Sequence, residues 1–192
     1  MTIAKTKTTL TTFTGLLLAF FLVSNCIISY KDYPKILPLP SEEKSLDTNF
    51  VYVLPTFPQL NLGGREALKN YFENKTRFKK TTEAVDVPKV GYLVNVKVNY
   101  RSPSPIATAF LGVSTLTATF LPAWSTQDGY DVQYLLYKDG KKVGTYDYHI
   151  FRNYAQWILF IPISWYNFET ATEKEVFERM THKFFEDAKE HF

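Results

Sequence analysis

The chain has 192 residues, 45% of them hydrophobic and 17% aromatic, with a net charge of +3; this suffices for a packed core and excludes wholesale disorder. Lys5 and Lys7 carry most of that charge. Without those two, 20 basic residues face 19 acidic ones, so the electrostatics point to no nucleic-acid partner, and a single cysteine, Cys26, excludes an internal disulfide and a four-cysteine zinc site.

Lys5 and Lys7 precede an uncharged apolar run at residues 13–23, FTGLLLAFFLV. Its 11 residues are too few to span a bilayer, which takes about 20, and they fit the hydrophobic part of a secretory signal. Ser24, Asn25 and Cys26 follow. The stretch Leu22-Val23-Ser24-Asn25-Cys26 resembles the lipobox of bacterial lipoproteins. It is similar to the relaxed form tolerated in spirochaetes, with Val23 in place of the common Leu and Asn25 in place of Gly or Ala. The resemblance implies that residues 1–25 are a signal peptide. It also implies that Cys26 becomes the mature N-terminus, holding the protein to a membrane through a diacylglyceryl group and, usually, an N-acyl chain. Each buried methylene contributes about 0.8 kcal/mol, and two chains suffice for stable anchoring. Ile27 and Ile28 follow Cys26 with no Asp, which by the same resemblance favours the outer over the inner membrane of a cell envelope. An ordinary secretory signal and an uncleaved anchor helix are the alternatives.

Residues 26–48 read as the lipidated N-terminus and a tether. Pro34, Pro38 and Pro40 favour extended chain and oppose helix, and 22 flexible residues span about 25 Å root-mean-square. Then comes a strand, FVYVLP at residues 50–55. A helix follows at residues 63–76, where Ala67, Leu68, Tyr71 and Phe72 recur at helical spacing. Residues 91–101 alternate as a half-buried strand. Residues 114–124, STLTATFLPAW, set Leu116, Ala118 and Phe120 against three threonines and also read as a strand. Residues 130–151 form two alternating runs about Asp139-Gly140, the pair a type I′ hairpin turn requires. A last helix opens on a capping box, Thr172 with Glu175, and carries the stripe Phe177, Met180, Phe184 and Ala188. These elements predict one α+β domain over residues 49–192: a mostly antiparallel sheet of about five strands with two helices packed on one face. By analogy of element order it is similar to small periplasmic domains of envelope lipoproteins.

Residues 102–127 and 154–168 contain no charge. Fully covered strands read this way, so buried core is the first reading. A lipid-facing or ligand-facing surface is the second, because Trp and Tyr favour the membrane interface. Transmembrane helices are the third. The order STLTATFLPAW, alternating hairpin, Trp-led apolar run is similar to a pattern of uncharacterised bacterial lipoproteins, a resemblance that implies no activity.

Catalytic signatures are absent. Asp147 and His149 share a strand face, the start of an acid–base pair or metal site, though a solvated histidine also looks like this. His182 and His191 are nine apart on the last helix, not the four that ligands on one helix face need. No hydrolase, zinc-protease or nucleotide-loop motif occurs, and Arg77-Phe78-Lys79-Lys80 reads as a solvated helix exit or a touch on anionic headgroups. The expectation is a membrane-anchored envelope lipoprotein, not an enzyme, without metal or cofactor. It would serve as an interaction or assembly module, lipidated at Cys26 and meeting an envelope protein or lipid through Trp124, Trp157 and Trp165. The rival is a carrier holding a lipid or other apolar ligand between sheet and helices.

Overall fold

The computed structural model describes residues 26–35, 46–57, 62–84 and 88–192. The signal peptide expected at residues 1–25, and residues 36–45 of the expected tether, lie outside them. The strands are β1 Cys26–Lys31, β2 Leu46–Val53, β3 Phe78–Glu83, β4 Tyr92–Arg101, β5 Ala123–Lys138 and β6 Lys141–Gln156. The α-helices are α1 Gly64–Asn70, α2 Pro105–Leu116 and α3 Glu173–Asp187. A π-helical turn, Tyr71–Lys75, extends α1, and a 3-10 segment, Ile158–Phe168, follows β6.

The α+β class holds, but the sheet differs from expectation. It has six strands in the order β1-β6-β5-β4-β2-β3, and it is mixed. β2 runs parallel to both β3 and β4, whereas β4 and β5 are antiparallel over ten residue pairs, from Tyr92 with Lys138 to Arg101 with Gly129. The β2–β3 pair is parallel because α1 carries the chain back between those two strands, as a crossover must. β1 lies within the segment expected as a tether, and β2 begins there too.

The chain forms two compact units. Among the described residues, unit 2 comprises those between 30 and 102, 128–151 and 171–192. Its core is the apolar face of the sheet under α1 and α3. Tyr52, Phe50, Val94, Val96, Tyr134 and Leu136 are buried there with Ala67, Leu68 and Phe72. The predicted stripe of α3, Phe177, Met180, Phe184 and Ala188, is buried in full, and the Thr172–Glu175 capping box forms. Asp139 and Gly140 both take positive φ, 49° and 77°, as their hairpin turn demands.

Among the described residues, unit 1 comprises 26–29, 103–127 and 152–170. Here one expectation fails: residues 105–116 are helix α2, and only from Ala123 is the chain a strand. Ser104 caps α2, accepting from the Ala107 amide at 3.2 Å, and Pro105 takes its first turn. Both are strong helix-start signals, and they outweigh the period-two alternation of Leu116, Ala118 and Phe120. Pro162 falls inside the 3-10 segment.

Candidate functional site

Unit 1 is polar inside and apolar outside. Among the described residues its only buried apolar side chain is Ala123, whereas Ser114, Thr119, Ser125 and Gln156 are all buried. Twelve of the fourteen exposed large apolar side chains among the described residues belong to it, from Ile106 to Phe168. The reading of residues 102–127 and 154–168 as buried core is therefore overturned. Transmembrane helices receive no support: among the described residues no helix is long and apolar enough to cross a membrane.

The helix α2 explains how this comes about. Ile106, Phe110 and Val113, at i, i+4 and i+7, form an apolar stripe, yet Ile106 and Phe110 are 70% and 61% exposed. The opposite side is held by hydrogen bonds. Gln156 Nε2 donates to the Leu111 carbonyl at 2.9 Å and to Thr115 Oγ1 at 3.1 Å, and Ser114 Oγ donates to the Leu121 carbonyl. Thr115 and Thr117 donate back to the carbonyls of Leu111 and Val113. In the turn that follows, the amides of Thr117, Ala118 and Thr119 donate to carbonyls of α2 and that of Phe120 to the Thr117 carbonyl. These polar groups are satisfied internally, which lowers the cost of moving them out of water.

The expected contact residues share this unit with the expected anchor. Trp124 is 64% exposed and forms an apolar groove of about 390 Å³ with Ile106, Phe110 and Pro122. Trp165 is 58% exposed on the 3-10 segment, among Leu159, Ile163, Tyr166 and Phe168. Trp157 is half-buried, and its Nε1 donates to the Phe120 carbonyl at 3.2 Å. Cys26 is half-buried. Its carbonyl accepts from Asn167 Nδ2 at 2.7 Å, and Asn167 Oδ1 accepts from the Ile28 amide at 2.9 Å. Its Sγ lies 3.1 Å from the Tyr154 hydroxyl, which donates to Gln156 Oε1 at 2.9 Å. A continuous chain of hydrogen bonds thus runs from Cys26 through Tyr154 and Gln156 to α2. The α2 stripe is the part that periodicity missed; Ser104-Pro105 was the signal for it.

The Asp147–His149 pair does not form. His149 Nδ1 lies 2.8 Å from Asp131 Oδ1, which Arg101 also holds, and Asp147 accepts from Gln133. The perturbed ionisations lie in unit 2 and have structural causes. Tyr52, Tyr134 and Tyr148 are pushed above the ordinary phenol range, first by burial, and for Tyr52 and Tyr148 also by hydrogen bonds to Glu73 and Asp187. Among the described residues no three His, Cys, Asp or Glu side chains are grouped as metal ligands.

No protein family, curated protein or solved structure matches the chain. The functional reading therefore rests on residues and geometry.

Proposed function

We propose that the protein is a membrane-anchored lipoprotein of the bacterial cell envelope, lipidated at Cys26, that acts by contact rather than catalysis, with unit 1 seated in the headgroup region of a leaflet. The observation that carries this reading is the inverted composition of unit 1: buried Ser114, Thr119, Ser125 and Gln156, and exposed Ile106, Phe110, Trp124 and Trp165. In water such an arrangement forgoes about 1.5–3 kcal/mol for each large apolar side chain left outside. At a membrane interface the same side chains are buried, and Trp and Tyr are at their preferred depth. Two further observations support it. Residues 102–127 carry no charge that would have to be desolvated. Cys26 belongs to the same unit, so acyl chains on it and the apolar side chains would enter one leaflet together, satisfying the two-signal requirement for stable anchoring.

The test is the intact mass of membrane-extracted protein, wild type beside Cys26→Ala. The expected wild-type species begins at Cys26 and carries acyl mass that the variant lacks. A wild-type chain that is unmodified and cut elsewhere, or that keeps residues 1–25, would sink the lipoprotein reading.

A further inference from the structure

Unit 2 holds a separate cavity of about 360 Å³, at the small end of the roughly 300–1,000 Å³ usual for ligand sites. Its apolar walls come from Tyr71 on the π-helical turn, Phe78 at the start of β3, Phe185 on α3, and Phe192. Phe185 stacks on Tyr71 at 5.7 Å and on Phe192 at 5.1 Å, and Phe192 meets Phe78 edge-on at 5.7 Å. These rings brace one another, so the cavity is preformed.

One buried polar atom in its wall makes no hydrogen bond. His182 is only 9% exposed, and its Nδ1 lies 2.8 Å from the Tyr71 hydroxyl. Its Nε2 is buried and makes no hydrogen bond. The carboxylate of Glu186 is 3.4 Å away, but not in hydrogen-bonding geometry. A buried nitrogen left this way carries a desolvation cost that an acceptor on a ligand would relieve. In the tautomer in which Nδ1 accepts from the Tyr71 hydroxyl, Nε2 carries the ring hydrogen and offers a donor to the cavity. Lys75, Arg77 and Lys189 also line the cavity, against one acid, Glu186. Lys75 is ion-paired with Glu178; Lys189 has no ion pair among the described residues. The cavity therefore combines aromatic walls, a buried donor and an exposed lysine at its rim.

We propose that this cavity binds a small amphiphile with one anionic head, its oxygen accepting from His182 Nε2 and facing Lys189, and its apolar body lying among Tyr71, Phe78, Phe185 and Phe192. The volume suits a single chain or ring rather than a two-chain phospholipid. The site is independent of the anchor: it would stand if Cys26 were unmodified, and fall alone if it bound nothing.

The experiment titrates octanoate, octyl phosphate and octanol into the full chain in neutral detergent. Binding is read from the imidazole nitrogen resonances of histidine-labelled protein, with His182 assigned by its loss in His182→Leu. Octanoate or octyl phosphate should shift His182 Nε2 saturably and bind at least tenfold more tightly than octanol, and whichever head binds better identifies the ligand class. Lys189→Gln, an exposed change that leaves the core intact, should weaken the anionic ligands several-fold and octanol not at all. Equal affinity for octanol, or a His182 signal unmoved at saturating octanoate and octyl phosphate, would overturn the proposal.

Discussion

The carboxylate of Glu173 sits at the first position of α3 with 3% of the residue exposed. Its Oε1 accepts from the amides of Leu62 at 3.0 Å and Gly64 at 3.1 Å; its Oε2 accepts from the Tyr130 hydroxyl at 2.8 Å and the Tyr30 hydroxyl at 3.4 Å. The start of α3 adds favourable dipole potential. One side chain thus ties the beginning of α1, a residue of β5 and a residue of β1 to α3. Gly64 has no room for a side chain: a Cβ there would come 2.5 Å from a Phe57 ring carbon, 2.9 Å from a Phe177 ring carbon and 3.0 Å from Glu173 Oε1. Glu173→Ala would strand several buried donors at about 1–3 kcal/mol each, so a loss of about 3 kcal/mol or more in urea unfolding is expected. Glu173→Gln keeps the acceptor for the two amides and should cost less. A loss below about 1 kcal/mol for the alanine variant would show that water replaces the carboxylate without penalty. Nothing in TEKEVF foretold this role, because every partner is more than 40 positions away in the chain. The Thr172–Glu175 box beside it was legible because its partners are three residues apart.

Two glycines of β5 and its turn separate conformational cost from steric cost. Gly140, φ 77°, has open space where a Cβ would stand; Gly129, φ 148°, would set one 2.0 Å from the Ile150 carbonyl oxygen. Gly140→Ala pays only for a left-handed backbone, about 1–2 kcal/mol. Gly129→Ala must break the close approach of two backbones within unit 2 and should cost about 3 kcal/mol or more. Thermal unfolding of the two variants checks the order, and equal shifts in Tm would contradict it. The same contrast explains which elements could be read in advance. The hairpin was legible because Asp139-Gly140 fixes its own turn. The sheet order was not, because alternation in residues 50–55 and 91–101 shows which face is buried but not whether the neighbour runs parallel. β3 was missed since Lys79 and Lys80, exposed on this edge strand, imitate a solvated helix exit around the buried Phe78. α2 was missed because its apolar stripe and its threonines fit either period at its C-terminal end. Only the Ser104-Pro105 cap distinguishes the two.

At the scale of the whole molecule the question is what covers unit 1. Trp124, Trp157 and Trp165 are the only tryptophans of the chain, and all three belong to that unit, so tryptophan emission reports on it alone. In vesicles whose acyl chains carry bromine near the headgroups, the wild-type protein should be quenched. Trp124→Phe and Trp165→Phe should each remove a substantial share of that quenching, because both rings are mostly exposed. Trp157→Phe should remove less, because its ring is half-buried and its nitrogen is held by the Phe120 carbonyl. High salt should change little, since residues 102–127 and 154–168 hold no charge to be screened. A protein seat would behave differently: the anchored chain would remain on the vesicles through Cys26, yet its emission would be indifferent to bromine. That result would leave the anchor intact and move the apolar surface from lipid to an envelope protein. Its partner would then have to bury the Ile106–Phe110–Val113 stripe and the Trp124 groove in a dry, aromatic-rich core, the kind of patch where binding energy concentrates.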